Sequence, residues 1–203
     1  MPAGQRPRKV GVFGGTYDPI HVGHLITGIE ALEALDLDLL TFVPALRSPH
    51  KPDATLTPAE VRLDMVRGAV EGHARLRVSD LELRRSAPSY TVDTLAEMAT
   101  SEPDTEITLL LGVDQWRAFG RWKEPREIVR LARIAVLTRE GERPSESLPE
   151  LGDGPPPTFL EIPVTRLDVS STLVRERVRA RRSIRFLVPE PVGRIIEAKS
   201  LYR

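Results

Sequence analysis

The run Lys9-Val10-Gly11-Val12-Phe13-Gly14-Gly15-Thr16-Tyr17-Asp18-Pro19-Ile20-His21-Val22-Gly23-His24 decides how the chain folds. Val10, Val12 and Phe13 are apolar and β-favouring, so Lys9 to Phe13 predicts a short buried strand, ended by Gly14-Gly15. A helix is expected from about His21-Val22 to Leu35, because Leu25, Ile29, Leu32 and Leu35 recur at helical spacing. The turn between them has chemical content. Gly14 and Gly15 lack Cβ atoms, so the backbone there can approach a bulky ligand and adopt positive φ. A helix start offers free N–H groups and a partial positive charge, both suited to phosphate oxygens. His21 and His24 are three apart and can share one side of the first turn, with Gly23 leaving room for a ligand. Two surface histidines on a tight turn are the plainer reading. A zinc site is another, and it would need a third ligand that the neighbouring sequence does not supply.

Outward from this turn the chain alternates strand and helix. Leu39 to Val43 predicts a strand stopped by Pro44, and the stretch Pro44 to Leu56 reads as a long loop. Thr57 is the expected N-cap, with Pro58 in the first turn, of a helix reaching about Val70. Arg75 to Val78 predicts a short strand and Tyr90 to Ala99 a helix. Ile107 to Leu111 is a continuous apolar run typical of a central parallel strand covered on both faces. A short helix after Asp114, a helix over Glu127 to Leu131 and strands over Ile134 to Leu137 and Phe159 to Ile162 follow. Residues 140–158, rich in glycine and proline, read as a flexible surface excursion. Ser170 to Ala180 and Pro191 to Ala198 are the expected last helices. The pattern predicts a single α/β domain over 1–203, with a mostly parallel sheet and a C-terminal helical part over 170–203. Ligands in such sheets bind at the carboxyl ends of the strands, where strand order reverses.

Composition narrows the function classes. A chain of 203 residues with 40% hydrophobic and 29% charged residues fits an ordinary globular protein with a real core. The formal net charge of +0 argues against a general nucleic-acid binder. No apolar run reaches membrane-spanning length. Cysteine is absent, which removes disulfides, thiolate nucleophiles and cysteine metal sites, and suits a cytoplasmic location. The lysines are only Lys9, Lys51, Lys123 and Lys199, so most cations are arginine.

A second anion site is expected near the other end. Asp168-Val169-Ser170-Ser171-Thr172-Leu173-Val174-Arg175 leads into a helix. Ser170, Ser171 and Thr172 can cap it while their N–H groups face an anion, and Arg175 lies one turn on with a forked guanidinium. An ordinary N-cap before a basic amphipathic helix is the alternative. Two anion sites, both at helix starts, are more specific than either alone.

The segment Gly14 to His24 resembles the T/H-x-G-H signature of the nucleotidyltransferase superfamily, with Tyr17 where Phe is commoner. Ser170 to Arg175 is similar to that superfamily's Ile-Ser-Ser-Thr-x-x-Arg motif, with Val169 for Ile. The resemblance implies a Rossmann-like, doubly wound fold with helices on both faces. It implies that His21 and His24 contact ATP phosphates and that Ser170, Ser171, Thr172 and Arg175 cradle the β- and γ-phosphates. Gly14, Gly15, Thr16 and Gly23 are expected at the same nucleotide. His21, His24 and Arg175 are the expected catalytic residues.

Three further segments bear on the acceptor. Ala87 to Leu95, Gly112 to Trp122 and the C-terminal Val188 to Val192, ending Leu201-Tyr202-Arg203, resemble the nicotinate-nucleotide adenylyltransferase branch. A pyridine ring calls for an aromatic partner, and Trp122 is the residue that matches the family pattern. Trp116 is expected in the core. A nicotinate carboxylate calls for N–H donors, and Tyr90-Thr91 opens a helix. Asp114, with Gly112 at the end of the apolar strand, can accept from ribose hydroxyls or cap the next helix. The loop Ser48-Pro49-His50-Lys51 resembles a substrate-contacting loop of the family, and Lys51 is either a phosphate contact or a solvated loop lysine. Asp18 is expected to be structural, and His73 has no assigned function.

The resemblance implies transfer of AMP from ATP to nicotinate mononucleotide, giving nicotinate adenine dinucleotide and pyrophosphate. Mg²⁺ would accompany ATP, with no metal site built by the protein. The expected partners are these two small molecules, without nucleic acid or membrane, and homo-oligomer formation stays open. The competing readings are an adenylyltransferase for nicotinamide mononucleotide or phosphopantetheine, a non-catalytic nucleotide sensor, and a nucleic-acid binder using Arg175 to Arg185.

Overall fold

The computed structural model describes residues 6–47, 56–146, 149–151 and 156–203. Six strands form one sheet: β1 (Arg8–Gly15), β2 (Leu39–Pro44), β3 (Leu76–Val78), β4 (Thr105–Gly112), β5 (Arg133–Thr138) and β6 (Leu160–Pro163). Their order is β3-β2-β1-β4-β5-β6, and every pairing is parallel. Strand order therefore reverses between β1 and β4, as in doubly wound dinucleotide-binding folds. Seven helices occur among the described residues: α1 (Val22–Ala34), α2 (Ala59–Val70), α3 (Thr91–Ser101), α4 (Val113–Ala118), α5 (Pro125–Leu131), α6 (Ser171–Arg179) and α7 (Glu190–Ala198). None of them is long and apolar enough to cross a membrane.

Strand alternation divides the core into two layers. Leu40, Phe42, Leu110, Ala135 and Leu137 face α1, α2, α6 and α7, and meet Leu32, Met65, Val174, Val192 and Ile196. Their neighbours Leu39, Val43, Leu109, Leu111, Ile134 and Val136 point the other way, onto Leu95 and Met98 of α3, Trp116 of α4 and Ile128 of α5. A strand apolar at every position suits a sheet covered on both faces, because its period of two feeds both cores. β2 is the clear case, with all six residues buried. Trp116 is fully buried as expected, and its indole N–H donates to the Pro144 carbonyl at 3.3 Å.

The helix boundaries need two corrections. α2 begins at Ala59 with Pro58, not Thr57, as its N-cap. Thr57 is committed to tertiary contacts instead: its N–H donates to Asp18 and its carbonyl accepts from Arg62. α4 begins at Val113 with Gly112 as N-cap, so Asp114 sits inside the first turn and does not cap it. Residues Pro144, Pro149 and Pro157 of the proline-rich excursion are buried. The loop Ser48-Pro49-His50-Lys51 lies outside the described residues.

Candidate active site

β1 and β4 end side by side at the reversal of strand order, and two cavities open there. They share Gly14, Gly15, Thr16, Asp114 and Gln115. One cavity, of about 740 Å³, is basic, with His21, His24, Arg139, Arg175 and Arg179 among its walls. The other, of about 420 Å³, is lined by Tyr90, Thr91 and Trp122 together with strand residues Leu109 to Leu111. The sheet itself brings the halves together, since β1 and β4 are neighbours although nearly a hundred residues separate them in sequence.

The glycine turn does not use the positive φ that it permits. Gly14 and Gly15 do not have positive φ; the left-handed residue is Tyr17, at φ 49°. A Cβ on Gly14 would meet nothing within 4 Å, so its missing side chain leaves the cavity open. A Cβ on Gly15 would stand 2.7 Å from the Tyr17 ring, so that glycine makes room for protein. Tyr17 is buried, and its hydroxyl donates to the Phe13 carbonyl at 2.6 Å. Gly23 similarly clears His21: a Cβ there would lie 3.0 Å from His21 Nδ1.

His21 is the N-cap of α1, and the two imidazoles lie against each other, tilted by 31° with ring centroids 3.7 Å apart. The His21 N–H donates to His24 Nδ1 at 3.3 Å. A neutral His24 that accepts at Nδ1 carries its proton on Nε2, where it can donate. His21 Nδ1 is buried and has no hydrogen-bond partner. Part of the first turn of α1 is already engaged: Val22 N–H donates to the Leu187 carbonyl and His24 N–H to the His21 carbonyl. An anion bound at this turn would therefore meet mainly the two imidazoles.

Both histidines are held neutral. Burial, with the nearby Arg139 guanidinium adding to it, lowers His21 to about 4. His24 lies well below its ordinary range through burial first, then the charges of His21 and Arg139. The unfolded chain therefore binds more protons than the folded one between about pH 4 and the ordinary histidine value near 6.5. Stability is fully present above that value and falls as pH drops toward 4. Thermal melts of the ligand-free protein from pH 7.5 to 5 should show a falling midpoint, with a shallower slope in His21→Asn. Equal slopes would mean that His21 is not held neutral by the fold.

The two predicted anion sites are joined directly. Arg175 Nη1 donates to the Asp18 carbonyl at 2.7 Å and Nη2 to Thr172 Oγ1 at 3.2 Å. Ser171 Oγ donates to the Pro19 carbonyl at 2.8 Å. Ser170 caps α6, its Oγ accepting from Leu173 N–H at 3.1 Å. The N–H groups of Ser171 and Thr172 precede any i−4 partner within the helix, which leaves them for an anion. Beneath the turn Arg62, 1% exposed, donates to three carbonyls: Thr16 at 2.6 Å, Thr57 at 2.9 Å and Leu46 at 3.0 Å.

The second cavity is framed by the start of α3, where Tyr90 is the N-cap, and by Trp122, packed at 5.4 Å on Phe119. Lys123 Nζ sits 4.7 Å over the Tyr90 ring and 3.2 Å from Asp93. Asp114 is exposed beside Arg117, at 3.6 Å, on the rim common to both cavities. Glu82 is buried at the wall, accepts from Thr94 Oγ1 at 3.0 Å and is also hydrogen-bonded by Ser89; burial raises its carboxyl above the usual range. Sequence reasoning missed Arg62, Glu82 and Arg139. A lone arginine or glutamate inside a helix or loop looks solvated, and only the β5 end, next to β4, could have flagged Arg139.

The geometry has counterparts in known proteins. The cytidylyltransferase-like family model matches residues 12–177. A protein of Dehalococcoides mccartyi named probable nicotinate-nucleotide adenylyltransferase is 39% identical over 198 residues, covering 96% of this chain and 97% of its own. One of the same name from Geobacillus thermodenitrificans is 38% identical, over 96% of this chain and 86% of its own. The solved structure of Plasmodium falciparum nicotinic acid mononucleotide adenylyltransferase complexed with NaAD superposes with a TM-score of 0.74 at 18% identity, over 96% of this chain and 97% of that one. At that identity it speaks for the fold. The family match over most of the chain and the full-length relatives make this chain a member of the nicotinate-nucleotide adenylyltransferase family, within the cytidylyltransferase-like group.

Proposed function

We propose that this chain transfers AMP from ATP to nicotinate mononucleotide, with the triphosphate in the basic cavity and the pyridine nucleotide in the aromatic one. The observation that carries this reading is the meeting of the two cavities at Gly14 to Thr16, where a shared wall would let two nucleotides touch at their phosphates. Trp122 would stack on the pyridine ring, and the N–H groups at the start of α3, near Tyr90 and Thr91, would receive its carboxylate. Asp114, beside Gly112, would accept from a ribose hydroxyl. Lys51, outside the described residues, would meet a substrate phosphate only on the strength of its loop's resemblance to the family.

The reaction needs no covalent intermediate. A 5′-phosphate oxygen attacks the α-phosphorus of ATP, one P–O bond forms, and the bond to the β-phosphate oxygen breaks with its electrons going to pyrophosphate. A phosphate monoester is largely dianionic at neutral pH, so no base has to activate it. The protein then acts by alignment and by charge neutralisation. His24 would donate from Nε2 to a phosphoryl oxygen, with His21 beside it. Arg175 has N–H groups beyond its two protein contacts, and with Ser170, Ser171 and Thr172 it would hold the departing β- and γ-phosphates. Arg139 extends the same positive wall. Imidazole, guanidinium, hydroxyl and amide donors suit the oxygens of a triphosphate, so Mg²⁺ would arrive on ATP, ligated by phosphate and water. When bound, the ion supplies charge neutralisation on the triphosphate.

The test is pyrophosphate release from Mg·ATP with nicotinate mononucleotide, nicotinamide mononucleotide or phosphopantetheine in separate reactions. The expected result is strong release with the nicotinate compound and weak release with the other two. Release with phosphopantetheine alone would overturn the acceptor assignment. ATP binding without release from any acceptor would make the chain a nucleotide sensor.

A further inference from the structure

We propose that Tyr202, in the last turn of the chain, is a positioning residue for the triphosphate site, acting through the Asp18 carboxylate. The inference rests on the basic cavity being the ATP site. Its starting point is the turn Thr16 to Ile20, which belongs to no helix or strand and yet carries the backbone on which Arg175 rests. Such a turn has the shape its tertiary contacts give it. Arg62 holds the Thr16 carbonyl, Arg175 the Asp18 carbonyl and Ser171 the Pro19 carbonyl. The Asp18 side chain is held separately. It is 5% exposed, and its Oδ1 accepts from the Tyr202 hydroxyl at 2.6 Å while Oδ2 accepts from Thr57 N–H at 3.2 Å.

The geometry of the chain end is spent on this contact. α7 packs on α2, which brings the terminus to the Thr57 end of α2. Beyond α7 the backbone doubles back, with Leu201 N–H donating to the Ile196 carbonyl and with Ser200 and Tyr202 in left-handed conformations at φ 51° and 62°. Residues with a Cβ adopt that region at an energetic cost, and they persist there where surrounding contacts hold them. Burial and the Asp18 carboxylate together raise the Tyr202 phenol above its ordinary range, so it remains a donor throughout the working pH range. A hydroxyl from Thr57 also reaches Tyr202, closing a ring of Asp18, Thr57 and Tyr202. One bond thus ties the final turn to the residue whose carbonyl sets the Arg175 guanidinium.

Tyr202→Phe keeps the ring packed on the core and deletes only the hydroxyl. The measurement is steady-state kinetics of the full-length protein, varying each substrate in turn, with a melting curve. The KM for ATP should rise about tenfold, as the Asp18 carbonyl no longer fixes the Arg175 guanidinium, and the KM for nicotinate mononucleotide should stay within about twofold. Asp18→Asn weakens the same bond from the other side. Its effect should also fall on ATP, and the double variant should be little worse than either single one. An unchanged KM for ATP, parallel rises for both substrates, or additive effects in the double variant would each reduce Tyr202 to a packing residue. A wild-type protein without adenylyl transfer would instead sink the ATP-site reading itself.

Discussion

His24→Ala should lower turnover by roughly a hundredfold or more, the usual cost of removing one preorganised donor from a developing negative charge. The fold should survive, because the side chain is half-buried at the cavity wall and packs edge-on against Tyr17 at 5.0 Å without filling the core. The expectation follows from the tautomer. His21 N–H occupies His24 Nδ1, so the remaining donor is Nε2. Burial keeps the ring neutral in the free protein, so its contribution to the resting state is a dipole and not a charge. An incoming triphosphate would accept from that Nε2–H, and the contact would strengthen as negative charge builds on the phosphoryl oxygens. The measurement is kcat with both substrates saturating, beside ATP binding and a melting curve. Turnover within a few-fold of wild type would remove the imidazole from the chemistry. His24→Gln, which keeps an N–H donor, should recover part of the loss.

Arg62→Met should cost about 3–5 kcal/mol of stability and lower the melting midpoint by on the order of 10 °C. Arg62 is almost fully buried, and its guanidinium serves three carbonyls from three different segments. Methionine replaces the apolar stem but leaves those carbonyls without donors in a place that water reaches poorly. Burial lowers the arginine's pKa, and the neighbouring Asp18 opposes that shift. The comparison is Arg67→Met one turn further along α2, where the exposed arginine faces Asp64 at 3.8 Å. That change should cost less than about 1 kcal/mol. Similar melting midpoints for the two variants would mean that Arg62 does not hold the Thr16 to Ile20 turn together.

β1, α1, β2 and β4 fall within a residue or two of where apolar periodicity puts them, because that signal is local and strong. The Thr57 boundary failed because the cap rule assumes a free side chain and backbone, whereas Thr57 is taken by Asp18, Arg62 and Tyr202. Gly14-Gly15 permits positive φ at low cost, yet it appears at Tyr17, where burial of the ring and its bond to Phe13 outweigh the cost. Glycine permits a conformation but does not require it.

What the sequence determined by itself was the alternation of strand and helix, the sheet buried on both faces, and two short motifs rich in donors that suit phosphate oxygens. These are properties of neighbours along the chain, so periodicity and residue chemistry express them. Tertiary structure alone decided that strand order reverses between β1 and β4, which sets two cavities against one glycine turn. It alone joined Arg175 to Asp18 across 157 residues, buried Arg62 beneath Thr16, and brought Tyr202 back to the start of the fold. Those contacts depend on how helices pack across the sheet. The energy that selects them comes from burial and from satisfying carbonyls far apart in sequence, and no local pattern carries that information.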